Sequence, residues 1–260
     1  MILILRQLFD PVADAIARAL GPAVRSGVIE QWFGGCRLDH RVGPAGVDSR
    51  IEAGGLPLLD PDVRIVLNRL RRVSVAGYHN AAPSDAAYAL AEATAVLWSC
   101  LEGLCCPVLN SMTALGLVGR PSHPLAHAGV AHRCGLLTRE YCLTTRARAG
   151  DAAAMLALDM PFADHPPVVG APAWYGSATS GRPGTLWVVG DQVVGALDGV
   201  PSAAVLQFAS AVGLGFGVVT FEQDAAGRWR WTGFDPLPLY APPHVAERLA
   251  EYLMAHAALA

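Results

Sequence analysis

The sequence predicts an α/β fold, and three observations lead there. A short apolar run from Ile2 to Leu5 passes directly into helical periodicity from Asp10 to Leu20. A second β-type run, Asp62 to Asn68 (DVRIVLN), precedes an alanine-rich helical stretch from Asp85 to Glu102. Near the C-terminus, two β-branched and aromatic runs are followed by a closing helical segment from His244 to Ala255. The 260 residues suffice for a substantial core, in one elaborate domain or two small ones.

Taken in order, the first helix stops at Gly21. Val28 to Phe33 predicts a second strand, and Gly34 to Leu59, rich in glycine, proline and polar residues, predicts a loop. Asp62 to Asn68 is bounded by Pro61 and by the arginines that follow it. The Asp85 to Glu102 helix takes Ser84 as its N-cap, uses Asp85 to complement the helix dipole, and stops at Gly103. Pro107 to Leu109 predicts a short strand, and a loop through Met112 and Gly119 leads to a helix from Pro124 to Arg133 that ends near Gly135.

Tyr141 to Thr145 predicts an extended segment and Asp151 to Leu158 a short helix. Between Pro161 and Gly184 prolines and glycines cluster, and Ser177 to Gly184 (SATSGRPG) predicts a mobile loop. Thr185 to Leu197 (TLWVVGDQVVGAL) predicts a hairpin turning at Gly190 and Asp191. A helix from Ser202 to Val212, a strand from Gly217 to Phe221, a turn from Asp224 to Gly227 and a strand from Arg228 to Thr232 follow. No internal repeat is present.

Composition excludes several functions. A net charge of -3 with pI near 6.2 gives no electrostatic reason to bind nucleic acid. The 53% hydrophobic content raises the question of a membrane, and Gly199 to Phe221 is an uncharged stretch of spanning length. Gly213, Gly215 and Gly217 interrupt it, so it reads as a buried helix followed by a buried strand. Met1 to Leu5 is too short for a signal-peptide core, which makes a cytoplasmic location the expectation. Cys36, Cys100, Cys105, Cys106, Cys134 and Cys142 show no paired ligand spacing and read as reduced core residues. All 19 basic residues are arginine, which rules out Schiff-base chemistry and any mechanism needing an ammonium on a phosphate.

The order of segments resembles a family. The run LEGLCCPVLNSMTALGL (Leu101 to Leu117) and the later CGLLTREYCLTT (Cys134 to Thr145) are similar to the N-terminal half of peptide- and protein-modifying ATP-grasp ligases. WVVGDQVVGAL (Trp187 to Leu197) resembles the hairpin after that family's phosphate-binding arginine, and AVGLGFGVVTFEQDAAGRWRWTGFDPLPL (Ala211 to Leu239) resembles its terminal strand pair. The resemblance implies a pre-ATP-grasp α/β domain over 1–120 and an ATP-grasp α+β domain over 121–260, with an abbreviated central subdomain within 146–200.

The departures fall where chemistry is expected. Activating a carboxylate as an acyl phosphate needs cations on the triphosphate and carboxylates on magnesium. The family's nucleotide-facing lysines have no counterpart. By the resemblance, the arginine before the hairpin falls on about Thr185 and the first metal-binding acid on Thr220, with Glu222 on the same strand face. The second acidic motif reads Gly233, Phe234, Asp235, Pro236, which leaves Asp235 as its one possible ligand. The candidate cofactor residues are therefore Arg182, Asp235 and Glu222, the last two also as metal ligands.

Other groupings carry two readings each. His123, His127, His132 and Cys134 are the densest set of potential metal ligands, although a helix bearing ordinary histidines explains the same spacing. Trp229, Trp231, Phe234 and Tyr240 line a pocket or pack beneath the closing helix. Tyr78, His79 and Asn80 form either a ligand loop after a strand or a simple turn. The expectation that emerges is a degenerate ATP-grasp protein that binds a peptide, protein or small ligand without catalysis. No cofactor is expected on that reading, and neither nucleic acid nor membrane is a partner. One alternative is an active ATP-dependent carboxylate-amine ligase using ATP and Mg2+; another is a metal enzyme built on the histidines.

Overall fold

The computed structural model describes residues 1–28, 36–44, 46–53, 56–59, 62–73, 78, 80–113, 117–118, 124–139, 141–144, 155–157, 173–177 and 181–259. β1 (Ile2–Arg6) pairs in parallel with β2 (Val24–Val28) and β6 (Ile65–Asn68), and β6 pairs in parallel with β7 (Val108–Leu109). The resulting sheet has the order β2-β1-β6-β7. Parallel strands are buried on both faces, which is why Ile2 to Leu5 is uninterrupted in its apolarity. Ile2 and Ile4 face α1 (Pro11–Leu20) and the C-terminal α5 (Pro243–Leu259), whereas Leu3 and Leu5 face the long helix α2 (Pro83–Glu102).

Local chemistry sets the helix starts. The Asp10 carboxylate accepts the Ala13 N–H at 3.0 Å and Pro11 occupies the first turn, so α1 is both capped and pre-formed. α2 begins earlier than expected: Ala82 holds the N-cap position without a side-chain bond, and Ser84 lies inside the helix. Proline fixes its own backbone angle in the first turn, and here that preference outweighs the serine's capping bond.

Two sequence expectations need correction. The supposed loop from Gly34 to Leu59 contains β3 (Cys36–Gly43), β4 (Gly46–Ala53) and β5 (Leu56–Leu59), an antiparallel sheet of order β3-β4-β5. Its polar composition is itself a strand pattern. Arg37, Asp39 and Arg41 lie directly opposite Glu52, Arg50 and Asp48, so every charge on that face meets its opposite. Within the helix expected over Asp151 to Leu158, Met155–Ala157 is the strand β9; the rest of that segment lies outside the described residues. β9 pairs with β10 (Ala173–Ser177), which also pairs with β8 (Tyr141–Thr144), so alanine's helix preference gives way to tertiary pairing. The second strand ends at Val28, and residues 29–33 of the expected span lie outside the described residues.

The C-terminal half is an antiparallel sheet of order β12-β11-β13-β14, made of β11 (Pro183–Val189), β12 (Gln192–Val194), β13 (Phe216–Gln223) and β14 (Trp229–Asp235). Gly190 turns the hairpin at φ +58°, and the Tyr252 ring lies where a Cβ would go, so a larger residue there must both strain the backbone and displace the ring. One sheet face packs through Leu186, Val188, Val219 and Phe221 onto α3 (Pro124–Arg133) and α4 (Ser202–Val212). On the opposite face Trp187, Val189, Phe216 and Val218 join the cluster formed by α1 and α5. These two helices thus connect the cores of both main sheets. The uncharged stretch from Gly199 to Phe221 resolves into α4, a left-handed Gly213 cap and β13. Among the described residues no helix is long and apolar enough to cross a membrane.

Candidate functional site

Three of the positions that the resemblance assigns to nucleotide and metal turn out to be neighbours. β11, β13 and β14 are adjacent, and their register sets Thr185 opposite Thr220 and Thr220 opposite Gly233. Directly opposed residues of antiparallel strands point to the same face, so these three positions form one row across the sheet. Thr220 and Gly233 lie on the same face as Trp187 and Val218, beyond the point where those side chains enter the core.

That row carries no charge. Thr220 Oγ1 shares a hydrogen bond of 3.0 Å with Thr232 Oγ1, the register shifting beside Thr220. Gly233 offers no side chain, and a Cβ built there would stand 3.4 Å from Thr220 Oγ1. Where a triphosphate and its magnesium need a cation and two carboxylates, the row presents hydroxyls and a hydrogen. The three residues of this row do not fit that cofactor pair.

The two candidate acids, Glu222 and Asp235, do not replace it. Glu222 belongs to the next row, opposite Pro183 and Arg230. One of its oxygens is ion-paired to Arg139 and the other accepts the Gly181 N–H at 3.0 Å. Both side chains of that pair are largely buried, 19% and 15% exposed, and Arg139 Nε is itself buried with no partner among the described residues. Asp235 lies opposite Val218, four residues from Glu222 along β13, or about 13 Å at the rise of a strand. Its Oδ1 accepts the Leu237 N–H at 2.8 Å. Glu222 and Asp235 are therefore not brought together on one ion. The Arg182 side chain is exposed, and its contribution to the sheet is a backbone carbonyl that accepts the Gln223 N–H at 3.0 Å.

The other groupings separate. The His127 ring stands edge-on to Phe234 at 4.8 Å, His132 is exposed at the end of α3, and His123 lies outside the described residues. Among the described residues no three of His, Cys, Asp and Glu are gathered as for a metal. Trp231 is 2% exposed and packs edge-on against Phe208, so it is a core residue, whereas Tyr240 projects outward. Tyr78 is exposed and His79 lies outside the described residues. Cys100 is buried as expected, and burial pushes its thiol pKa up, but Cys105 is exposed, which corrects its reading as a core residue.

Sequence reasoning missed two buried arginine pairs. Arg139 reaches Glu222 across 83 positions, and Arg69, 1% exposed, donates to both oxygens of Asp10 across 59. An acid four residues after a strand and an arginine immediately after another are the available signals, and neither specifies the pairing.

The strand order and register define a mixed α/β fold in which the Thr185, Thr220 and Gly233 row is uncharged. The sequence matches no protein-family model and no curated protein. Solved structures are similar along nearly the whole chain. The macrocyclase MdnC from Microcystis aeruginosa MRC, solved bound with precursor peptide MdnA, superposes with a TM-score of 0.76 at 14% identity, covering 98% of this chain and 100% of that one. A RiPP-associated ATP-grasp ligase from Chryseobacterium gregarium, in complex with ADP and a leader and core peptide, gives 0.71 at 11% identity over 98% and 96%. The ATP-grasp ligase PsnB, complexed with a minimal precursor variant, Mg and ADP, gives 0.72 at 14% over 98% of both chains. The chain thus has the ATP-grasp fold.

Proposed function

We propose that this chain is a non-catalytic, peptide-binding ATP-grasp protein, an accessory to peptide modification that needs neither ATP nor magnesium. On this reading it works in the cytoplasm, with 1–120 as the pre-ATP-grasp part and 121–260 as the ATP-grasp part. The observation that carries it is the Thr185, Thr220, Gly233 row, where three positions expected to be charged lie side by side and neutral. One such loss is compatible with a weakened ligase. Three in a single row leave neither the cation that meets a triphosphate nor the two carboxylates that hold its magnesium. The peptide half rests on likeness to proteins solved with precursor peptides.

Titration calorimetry with Mg-ATP tests the reading. The expected result is no saturable heat below about 1 mM, the weak end of useful affinity. A micromolar dissociation constant abolished by Asp235→Ala overturns it. That outcome supports the second reading, an active ATP-dependent carboxylate-amine ligase, which the ADP- and Mg-bound relatives favour.

A further inference from the structure

We propose that the outer face of α2 docks a basic amphipathic helix of another protein. α2 buries Ala93, Leu97, Cys100 and Leu101 in the core beside the parallel sheet. A surface helix packed on one face is ordinarily polar on the other, and α2 is not. On the side away from the core, Tyr88, Ala91, Ala95 and Trp98 follow one another at spacings of three, four and three residues, the pattern of a coiled-coil seam. All four are exposed, Tyr88 by 69% and Trp98 by 36%. The seam runs for about 15 Å at the rise of a helix. An aromatic knob stands at each end, and the two alanines between them let a partner backbone come close.

The C-terminal end of this helix is pinned in place. Val47 of β4 fills the position that a Cβ at Gly103 would take, and His40 Nε2 of β3 shares a hydrogen bond of 2.9 Å with Ser99 Oγ. A preformed face lowers the ordering cost of association.

Charge identifies the occupant. Asp85 and Glu92 flank the seam where coiled coils place their interhelical ion pairs, and Glu102 lies at its C-terminal end. All three are exposed, none has an ion-pair partner among the described residues, and α2 carries no basic residue. A second copy of the same helix leaves these acids facing one another or unmatched, and an anionic lipid surface repels them. A helix with apolar residues at matching spacing and arginine or lysine beside them satisfies seam and charge at once. The inference concerns a different element from the neutral row and does not depend on whether nucleotide binds.

Fluorescence anisotropy on the full chain tests it with two labelled synthetic helices of about three heptads. Both carry leucine at the seam positions; one has arginine beside them and the other glutamate. The arginine peptide is expected to bind with a dissociation constant in the micromolar range, and the glutamate peptide at least about tenfold more weakly. Asp85→Arg combined with Glu92→Arg should exchange that preference, and Trp98→Ser should weaken the arginine peptide at least about tenfold. Circular dichroism confirms that each variant keeps its helices. No saturable binding of the arginine peptide below about 1 mM overturns the proposal. So does equal binding of the two peptides, a preference indifferent to the double reversal, or a change in the chain's own oligomeric state in Trp98→Ser, which would make the seam a contact between copies.

Discussion

Asn110 holds the peptide group of Phe216 from both sides. Its Oδ1 accepts the Phe216 N–H at 2.9 Å and its Nδ2 donates to the Phe216 carbonyl at 2.8 Å. The same amide also takes the Gly215 N–H at 2.8 Å and reaches the Pro236 carbonyl at 3.2 Å, while Asn68 donates to the Asn110 carbonyl at 2.9 Å. Two asparagines thus join the end of the parallel sheet to the strand pair that bears the neutral row. Asn110 sits at φ +59°, a conformation that asparagine tolerates better than most residues.

Asn110→Ala should therefore lower stability by about 3 kcal/mol, because it orphans buried backbone groups and strains the left-handed site. Urea denaturation measures this. A loss under about 1 kcal/mol would show that water replaces the amide without cost.

The Asp10 and Arg69 pair is buried, at 7% and 1% exposure. Asp10→Ala leaves the guanidinium uncompensated and removes the α1 cap, for an expected loss of about 3–5 kcal/mol. Replacing the pair together, as Asp10→Asn with Arg69→Met, should recover part of that loss, since no charge is then left buried. Thermal or urea unfolding of the three proteins decides; a double variant weaker than Asp10→Ala contradicts the electrostatic account.

Asp224 folds the β13–β14 turn. The Arg228 N–H, followed by the side chains of Arg230 and Arg228, holds its pKa down to about 2. Because the folded value lies below the ordinary one near 4, its contribution is complete above about pH 4 and fades as pH falls through about 2. Asp224→Asn should remove that part of the acid dependence while leaving the neutral-pH slope unchanged. Denaturation midpoints compared between pH 5 and pH 2.5 provide the check.

Restoring charge to the neutral row is the reverse experiment. Thr220→Asp with Gly233→Glu returns two carboxylates to opposed positions, and the 3.4 Å clearance at Gly233 shows that a Cβ is accommodated. The pair should confer Mg2+ binding detectable by calorimetry, with dissociation constants in the millimolar range or tighter. If neither Mg2+ nor Mg-ATP heat appears, the missing charges are not the only barrier at this site.

The thiols should separate by burial. Cys105 is exposed and should react with a maleimide at pH 7.5, whereas the buried Cys100, its pKa raised by desolvation, should stay unlabelled until the protein unfolds. Mass spectrometry of the labelled protein assigns the site, and early labelling of Cys100 would reveal local opening around β3 and α2.

The sequence by itself determined the α/β class, most of the helices, the Gly190 hairpin and the terminal strand pair, because each is written in local terms: an apolar period, a stop at glycine, a turn residue. It also showed that every basic residue is an arginine. What it could not supply was distance. Pattern alone read the stretch before Leu59 as polar loop, since cross-strand pairs such as Arg37 with Glu52 become visible only once the strands lie together. Likewise Thr185, Thr220 and Gly233 are scattered along the chain and become one row only through the order β11-β13-β14. Glu222 looked available until Arg139 arrived beside it. Side-chain partners far apart in sequence depend on how whole sheets and helices pack, and the tertiary structure alone decided them.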